Sequence, residues 1–172
     1  MSRVRYTRQR ASWCARVGGG LVAAAVLAVA PAQAGEDYSF DFAVTLSEKA
    51  QAKLAAARET VTVLASYFGE PNRSGEQHAN EVGMVDLGQE TAELPPAPVT
   101  VRITGRQASR AKLAWIQGTP RVNVNLYTSR KSVDENLIDC DFIDGDIKQV
   151  RAAPITVQCF LIGERAEGRR LP

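Results

Sequence analysis

His78 is the only histidine in the 172-residue chain, and Asp139, Asp141, Asp144 and Asp146 fall within eight residues of one another. Histidine titrates near neutral pH and can serve as a general base or a metal ligand. His78 sits in the polar stretch Gly69 to Glu81 with Glu70, Glu76 and Glu81. No second histidine and no ligand spacing accompanies it, so it reads as a solvated loop residue. The four aspartates suggest calcium, which takes several carboxylate and carbonyl oxygens. Their spacing departs from the EF-hand loop: the third acid falls one residue late, and no glutamate closes the set. They read as a strand's wet face, carrying Asp139 and Asp141, followed by a turn at Asp144.

No G-x-S-x-G surrounds a serine, and the one glycine run, Gly18 to Gly20, lies in the leader. No catalytic residue, metal set or cofactor is therefore assigned. Hydrolysis by loop carboxylates, with or without His78, stays as an alternative that needs two converging acids.

Charge is unevenly spread along the chain. Leu94 to Val133 contains no acid but holds Arg102, Arg106, Arg110, Lys112, Arg121, Arg130 and Lys131. Asp134 to Asp146 holds six acids and no base. Gathered on one face, the first block would suit an anionic envelope ligand or a protein partner; folded against the second, it would be neutralised. The candidate binding residues are Arg102, Arg121, Asn123, Asn125, Tyr127 and Arg130. Trp115 is a further aromatic of the same segment that suits a core equally well.

The elements that would position these residues begin after residue 34. Arg3, Arg5, Arg8, Arg10 and Arg16 form a basic head, Val17 to Ala30 is an apolar run, and Ala32-Gln33-Ala34 is an A-x-A pattern. Together these are the parts of a secretory signal peptide, and the run is shorter than the ~20 residues that span a bilayer. Cleavage after Ala34 would release residues 35–172 as a single exported domain, periplasmic or extracellular, with no membrane span. The whole chain has 21 basic and 19 acidic residues, but the leader takes five of the basic ones. The remainder carries 16 bases against 19 acids, which argues against a nucleic-acid partner.

Two cysteines, Cys140 and Cys159, remain after that cleavage and predict a disulfide in an oxidising compartment. Tyr38 to Leu46 alternates apolar and polar residues as a half-buried strand does. Ser47 can cap a helix running to Arg58. Further strands are predicted at Thr60 to Phe68, Val82 to Leu87, Val99 to Thr104, Ala111 to Gln117, from Arg121, and across Ile138 to Ile143. Asp144-Gly145 reads as a type I′ hairpin turn pairing Phe142 with Ile147 and Asp141 with Lys148. A last strand covers Ile155 to Leu161. Gly88 to Pro98 reads as an extended connector, Gly118 to Pro120 as a turn, Ser129 to Asn136 as a polar loop and Gly163 to Pro172 as a mobile tail.

Eight or nine short strands with Pro and Gly turns predict a mainly β fold: a β-sandwich of immunoglobulin-like or transthyretin-like general architecture with one short helix. An α+β fold or a small barrel is the alternative. The expected function is non-catalytic binding of an anionic envelope ligand or an envelope protein. An inhibitor or assembly partner of another exported protein, inserting a loop such as Gly69 to Glu81, is a further alternative.

Overall fold

Phe40, Phe42, Val44 and Leu46 are all buried, while Asp41, Ala43 and Thr45 between them are not, so β1 (Phe40–Leu46) forms where the period of two requires it. The computed structural model describes residues 38–165 and 168–172. The expected signal segment and its cleavage site lie outside the described residues. Ser47 caps α1 (Glu48–Ala57), its Oγ accepting from the Ala50 amide at 3.1 Å. Ala50 and Leu54 give this helix its buried stripe, and Arg58 ends it in the left-handed region at φ 55°.

The remaining elements are β2 (Val61–Pro71), β3 (Val85–Leu94), β4 (Val99–Ile103), β5 (Ile116–Thr128), β6 (Ile138–Cys140), β7 (Phe142–Asp146), α2 (Ile147–Ala152), β8 (Ile155–Leu161) and β9 (Arg170–Leu171). Short 3-10 turns lie at Glu76–His78 and Ala111–Trp115. The strands form two sheets, ordered β4-β1-β8-β6 and β3-β2-β5-β7-β9. One core cluster joins their inner faces: Phe42 and Val44 of β1 and Val157 of β8 from the first, and Val63, Ala65, Val122 and Val124 from the second. The fold is the expected β-sandwich, with sheets that do not close into a barrel. Each fully buried side chain of this kind contributes about 1.5–3 kcal/mol, against about 0–1 for an exposed ion pair. The core therefore holds the sheets together, and surface pairs decide only where charge sits.

Cys140 and Cys159 are bonded, at an S–S distance of 2.05 Å, from directly opposed positions on β6 and β8. Both are buried, as their alternation predicts.

Several local expectations are corrected. The strand expected at Val82 begins at Val85 and runs through most of the expected connector to Leu94. The cause is a bulge: Gly88, at φ 125°, pairs with Tyr67 while Asp86 pairs with Phe68, so Leu87 is an extra residue and the alternation changes phase. Ala111 to Trp115 is a 3-10 turn, and β5 starts at Ile116 and passes through the expected turn at Gly118 to Pro120.

Asp144-Gly145 is strand interior. Gly145 pairs with Val122 of β5, and the chain turns only after Asp146, whose Oδ1 accepts from the Lys148 amide at 2.8 Å and starts α2. The pairs Phe142 with Ile147 and Asp141 with Lys148 do not form, because β7 leaves the sheet of β6 and joins β5. Asp141, expected on a wet face, is fully buried at that crossing point.

The tail is part of the fold. β9 pairs in parallel with β7, and Glu164 accepts from Ser47 Oγ at 2.6 Å and the Leu161 amide at 3.0 Å. These bonds, the hydroxyl's foremost, hold the Glu164 carboxyl below its ordinary range.

Candidate functional site

Val122, Val124 and Leu126 face the core, so Arg121, Asn123, Asn125 and Tyr127 face outward from β5, the middle strand of the five-stranded sheet. Strand pairing sets their neighbours. Phe68, Ser66, Leu64 and Thr62 of β2 lie opposite them in that order. Asp86, Gln89, Thr91 and Glu93 of β3 extend the same rows on one side. Asp146 and Asp144 of β7 lie opposite Arg121 and Asn123 on the other. The outer face is thus a grid of mostly polar side chains around Leu64, Phe68 and Tyr127.

Two concavities flank the Arg121–Phe68 row. One, a groove of about 310 Å³, runs over Ser66, Phe68, Gln89 and Asn123 and is walled by Val82 and Met84. Its wall is a tight loop in which Asn80 Oδ1 accepts from the amides of Val82 (3.1 Å) and Met84 (3.0 Å). Val82 stands 79% exposed at the loop's tip. The other, of about 610 Å³, lies towards β7 and β9 and is lined by Arg121, Asp144, Asp146, Gln149, Arg170 and Pro172.

Of the six residues singled out from sequence, the structure brings Arg121, Asn123, Asn125 and Tyr127 into one row. Arg130 stands at the end of that row, in the left-handed region at φ 55°, its guanidinium 6.0 Å from the Tyr127 ring centre. Arg102 is apart from them. It lies on β4 in the other sheet, where it bonds Asp41 at 2.7 Å and Ser39 Oγ at 2.7 Å. Trp115 is partly buried and stacks on His78, their ring centres 3.7 Å apart, so the histidine is packed against an aromatic face.

The two charge blocks meet at Arg121 and Asp144, and their other ion pairs among the described residues are with residues outside both blocks. Arg121 pairs with Asp144 at 3.2 Å, Lys112 with Asp86 at 3.8 Å and Lys131 with Glu93. The Lys131 ammonium, followed by the Thr60 hydroxyl, holds the Glu93 carboxyl below its ordinary range. Arg110 lies 3.7 Å over the Tyr38 ring. The four clustered aspartates serve structure. Asp139 takes Arg165 at 3.3 Å, Asp144 takes Arg170 at 2.8 Å, and Asp146 starts α2. Among the described residues no group of three or more His, Cys, Asp or Glu could hold a metal ion.

Asp141 is the most heavily bonded of the four. It meets Arg165 at 2.9 Å and Arg169 at 3.5 Å, and accepts from the amides of Gln158 (3.2 Å) and Arg169 (3.0 Å).

Sequence reasoning missed Glu59. Its Oε1 accepts from the Ser132 amide (2.6 Å), the Ser132 hydroxyl (2.8 Å) and the Val133 amide (3.2 Å). The Ser132 amide is the main cause of a carboxyl pK pushed down to about 2 against burial, which opposes it. Glu59 thereby fixes the loop that presents Arg130. Ser66 and Phe68 lie in the strand expected at Thr60 to Phe68, but their outward face is shown by the structure alone. Gln89 was not legible, because it lies beyond the bulge.

No protein family, curated protein or solved structure matches this chain. Among the described residues no helix is long and apolar enough to cross a membrane.

Proposed function

We propose that the protein is a small exported domain that binds its ligand on the outer face of the five-stranded sheet and catalyses no reaction. The observation that carries this reading is the row Arg121, Asn123, Asn125 and Tyr127 on the central strand, with one concavity lined by Arg121 and another lined by Asn123. Sites built on paired strands hold their side chains more rigidly than sites on loops. Because Arg121 and Lys131 already hold acids, hydrogen bonding and stacking govern recognition more than net charge does.

Export is part of the proposal. The closed, buried Cys140–Cys159 bond suits a periplasmic or extracellular protein, where disulfides persist. The basic head and apolar run of the first 34 residues support the same reading.

The test is retention of envelope components on the immobilised, disulfide-closed protein. Asn123→Arg combined with Tyr127→Ala should abolish retention, whereas Arg102→Glu should leave it intact, at low and high salt alike. Retention that survives the β5 changes, or is lost with Arg102, overturns the reading, as does failure to retain anything.

A further inference from the structure

We infer that the groove over Ser66, Phe68, Gln89 and Asn123 is a binding site for an uncharged saccharide; this rests on the binding reading above and names its ligand class.

The starting point is how the molecule uses its polar side chains. Around its loops they are spent on the fold. Asn72 donates to the carbonyls of Ala114 (2.8 Å) and Ile116 (3.1 Å) and accepts from the amides of Ser74 (3.0 Å) and Gly75 (3.0 Å). Asn136 accepts from the Thr128 amide at 3.0 Å and donates to the Ile138 carbonyl at 2.8 Å.

The groove floor differs. Asn123 Oδ1 takes the Asn125 amide at 2.8 Å, but its own Nδ2 donates to no described residue. The Ser66 hydroxyl and the Gln89 carboxamide have no hydrogen-bond partner among the described residues. These three residues form one register row, Gln89 opposite Ser66 and Ser66 opposite Asn123. Strands lie about 4.8 Å apart, so the row offers donors and acceptors over about 10 Å. A carboxamide gives two donors and an acceptor, and a hydroxyl gives one donor and accepts twice. Such a row answers a ligand whose edge carries successive hydroxyls.

Phe68 stands in the adjacent row, between Asp86 and Arg121. An aromatic face is negative and attracts polarised C–H groups. A pyranose presents both surfaces at once, hydroxyls at its rim and C–H bonds on its face. Val82 and Met84 close one wall with apolar surface, and Asn80 holds them in place. A few convergent polar groups within apolar walls are the general composition of a small-ligand site.

The charges nearby select against ions. Arg121 is engaged by Asp144 at 3.2 Å and is directed towards β7, away from the groove's lining. Asp86 is a carboxylate on the groove's rim whose Oδ1 accepts from the Gly88 amide at 2.9 Å and which pairs with Lys112 at 3.8 Å, so the rim offers an anion no free positive charge there.

The experiment is an NMR titration of the isotopically labelled, disulfide-closed protein with four named probes: maltotetraose, cellotetraose, chitotetraose and, as the charged arm, tetragalacturonate. At least one neutral probe should shift the side-chain amides of Gln89 and Asn123 and the backbone of Phe68 saturably, with no change at high salt. Phe68→Ala and Asn123→Ala should each weaken that probe about tenfold while the rest of the spectrum stays in place. Both residues face outward, so both variants should fold. The inference is overturned if no neutral probe shifts these signals, if the shifts fall elsewhere, or if only tetragalacturonate binds and salt removes it.

Failure here is separable from failure of the binding reading. Silence with every saccharide alongside β5-dependent retention of a protein overturns this inference alone. Cleavage of a bound tetrasaccharide, read by mass, overturns the non-catalytic reading and leaves the saccharide site standing.

Discussion

The corner around Asp141 and the outer face of β5 use polar side chains in opposite ways. At the corner, one fully buried carboxylate gathers two arginines and two backbone amides, and a disulfide closes the adjacent residue. On the β5 face, Ser66, Gln89 and Asn123 keep hydrogen-bonding capacity that no described residue uses. A buried charge must be fully bonded because its desolvation is costly. An exposed amide carries no such obligation, since water satisfies it until a ligand arrives. The contrast teaches where to seek function: charge density marks the structural corner here, and unspent neutral groups mark the candidate site.

The sharpest way to break the comparison is Asp141→Ala. It would leave the amides of Gln158 and Arg169 without their carboxylate acceptor and the Arg165 guanidinium with Asp139 alone among the described carboxylates, and should cost about 4 kcal/mol of stability in urea unfolding. Hydrogen exchange should show β9 released as well, because the tail reaches the sheet past Asp141. A loss under about 1 kcal/mol would mean that the corner is as loosely held as an exposed ion pair.

Next in size is the disulfide. Cys140→Ala with Cys159→Ala should lower stability by about 3 kcal/mol, the chain-entropy value for a loop of this length. Since the bond joins β6 to β8 and touches no part of the β5 face, the double variant should keep its ligand affinity wherever it remains folded. Affinity lost in proportion to stability would show that the corner and the face are coupled.

These two regions were unequally legible in the sequence, and the reason is phase. Alternation revealed β1, the outward row of β5 and the buried cysteines, because a strand keeps one phase while it stays in one sheet. It failed at Gly88 and at Asp141 for the same cause. At Gly88 the bulged residue Leu87 shifts β3 by one position, which moved Gln89, Thr91 and Glu93 to the outer face unannounced. At Asp141 the chain leaves one sheet for the other, so Phe142 turns outward although the preceding residues place it inward.

Asp144-Gly145 carried the turn chemistry of a hairpin. Yet Gly145 is needed as buried strand interior, where a Cβ would come within 3.2 Å of the Pro172 backbone. The tail looked mobile because its charges seemed solvated, and only the fold shows which buried acid they reach. Within the candidate site the outward row of β5 was readable, whereas the face taken by Phe68 was not. Gln89 depended on the bulge, and the groove wall at Val82 and Met84 lies in residues expected to be strand.

A smaller effect is expected at Glu59, which anchors the loop holding Arg130 beside Tyr127. Its carboxyl is pushed down from 4.5 to about 2, so its contribution to stability is fully present above about pH 4.5 and is lost as the pH falls towards 2. Glu59→Gln should be less stable than wild type at neutral pH and should lose less on acidification across that window. Parallel acid-unfolding curves for the two proteins would show that the Ser132 and Val133 amides do not hold the ionised form. If Arg130 contributes to the face, the same variant should weaken ligand binding through the freed loop with Tyr127 in place.

The smallest effect on stability is expected on the face itself. Asn125→Ala removes one exposed amide hydrogen bond, to Asn123 Oδ1, and should change unfolding free energy by less than about 0.5 kcal/mol. Its effect on binding should have a definite sign. Releasing Asn123 Oδ1 frees one more acceptor but also frees the carboxamide to rotate, so the groove loses the orientation of its central donor. Affinity should therefore fall by less than it does in Asn123→Ala, and Asn125→Gln, whose longer amide can still reach Oδ1, should recover part of the loss. A binding loss in Asn125→Ala equal to that of Asn123→Ala would mean that Asn125 touches the ligand directly, extending the site along β5 towards Tyr127. No loss in either variant, with stability also unchanged, would mean that these unspent groups do nothing more than face water, and the contrast with the Asp141 corner would carry no functional content.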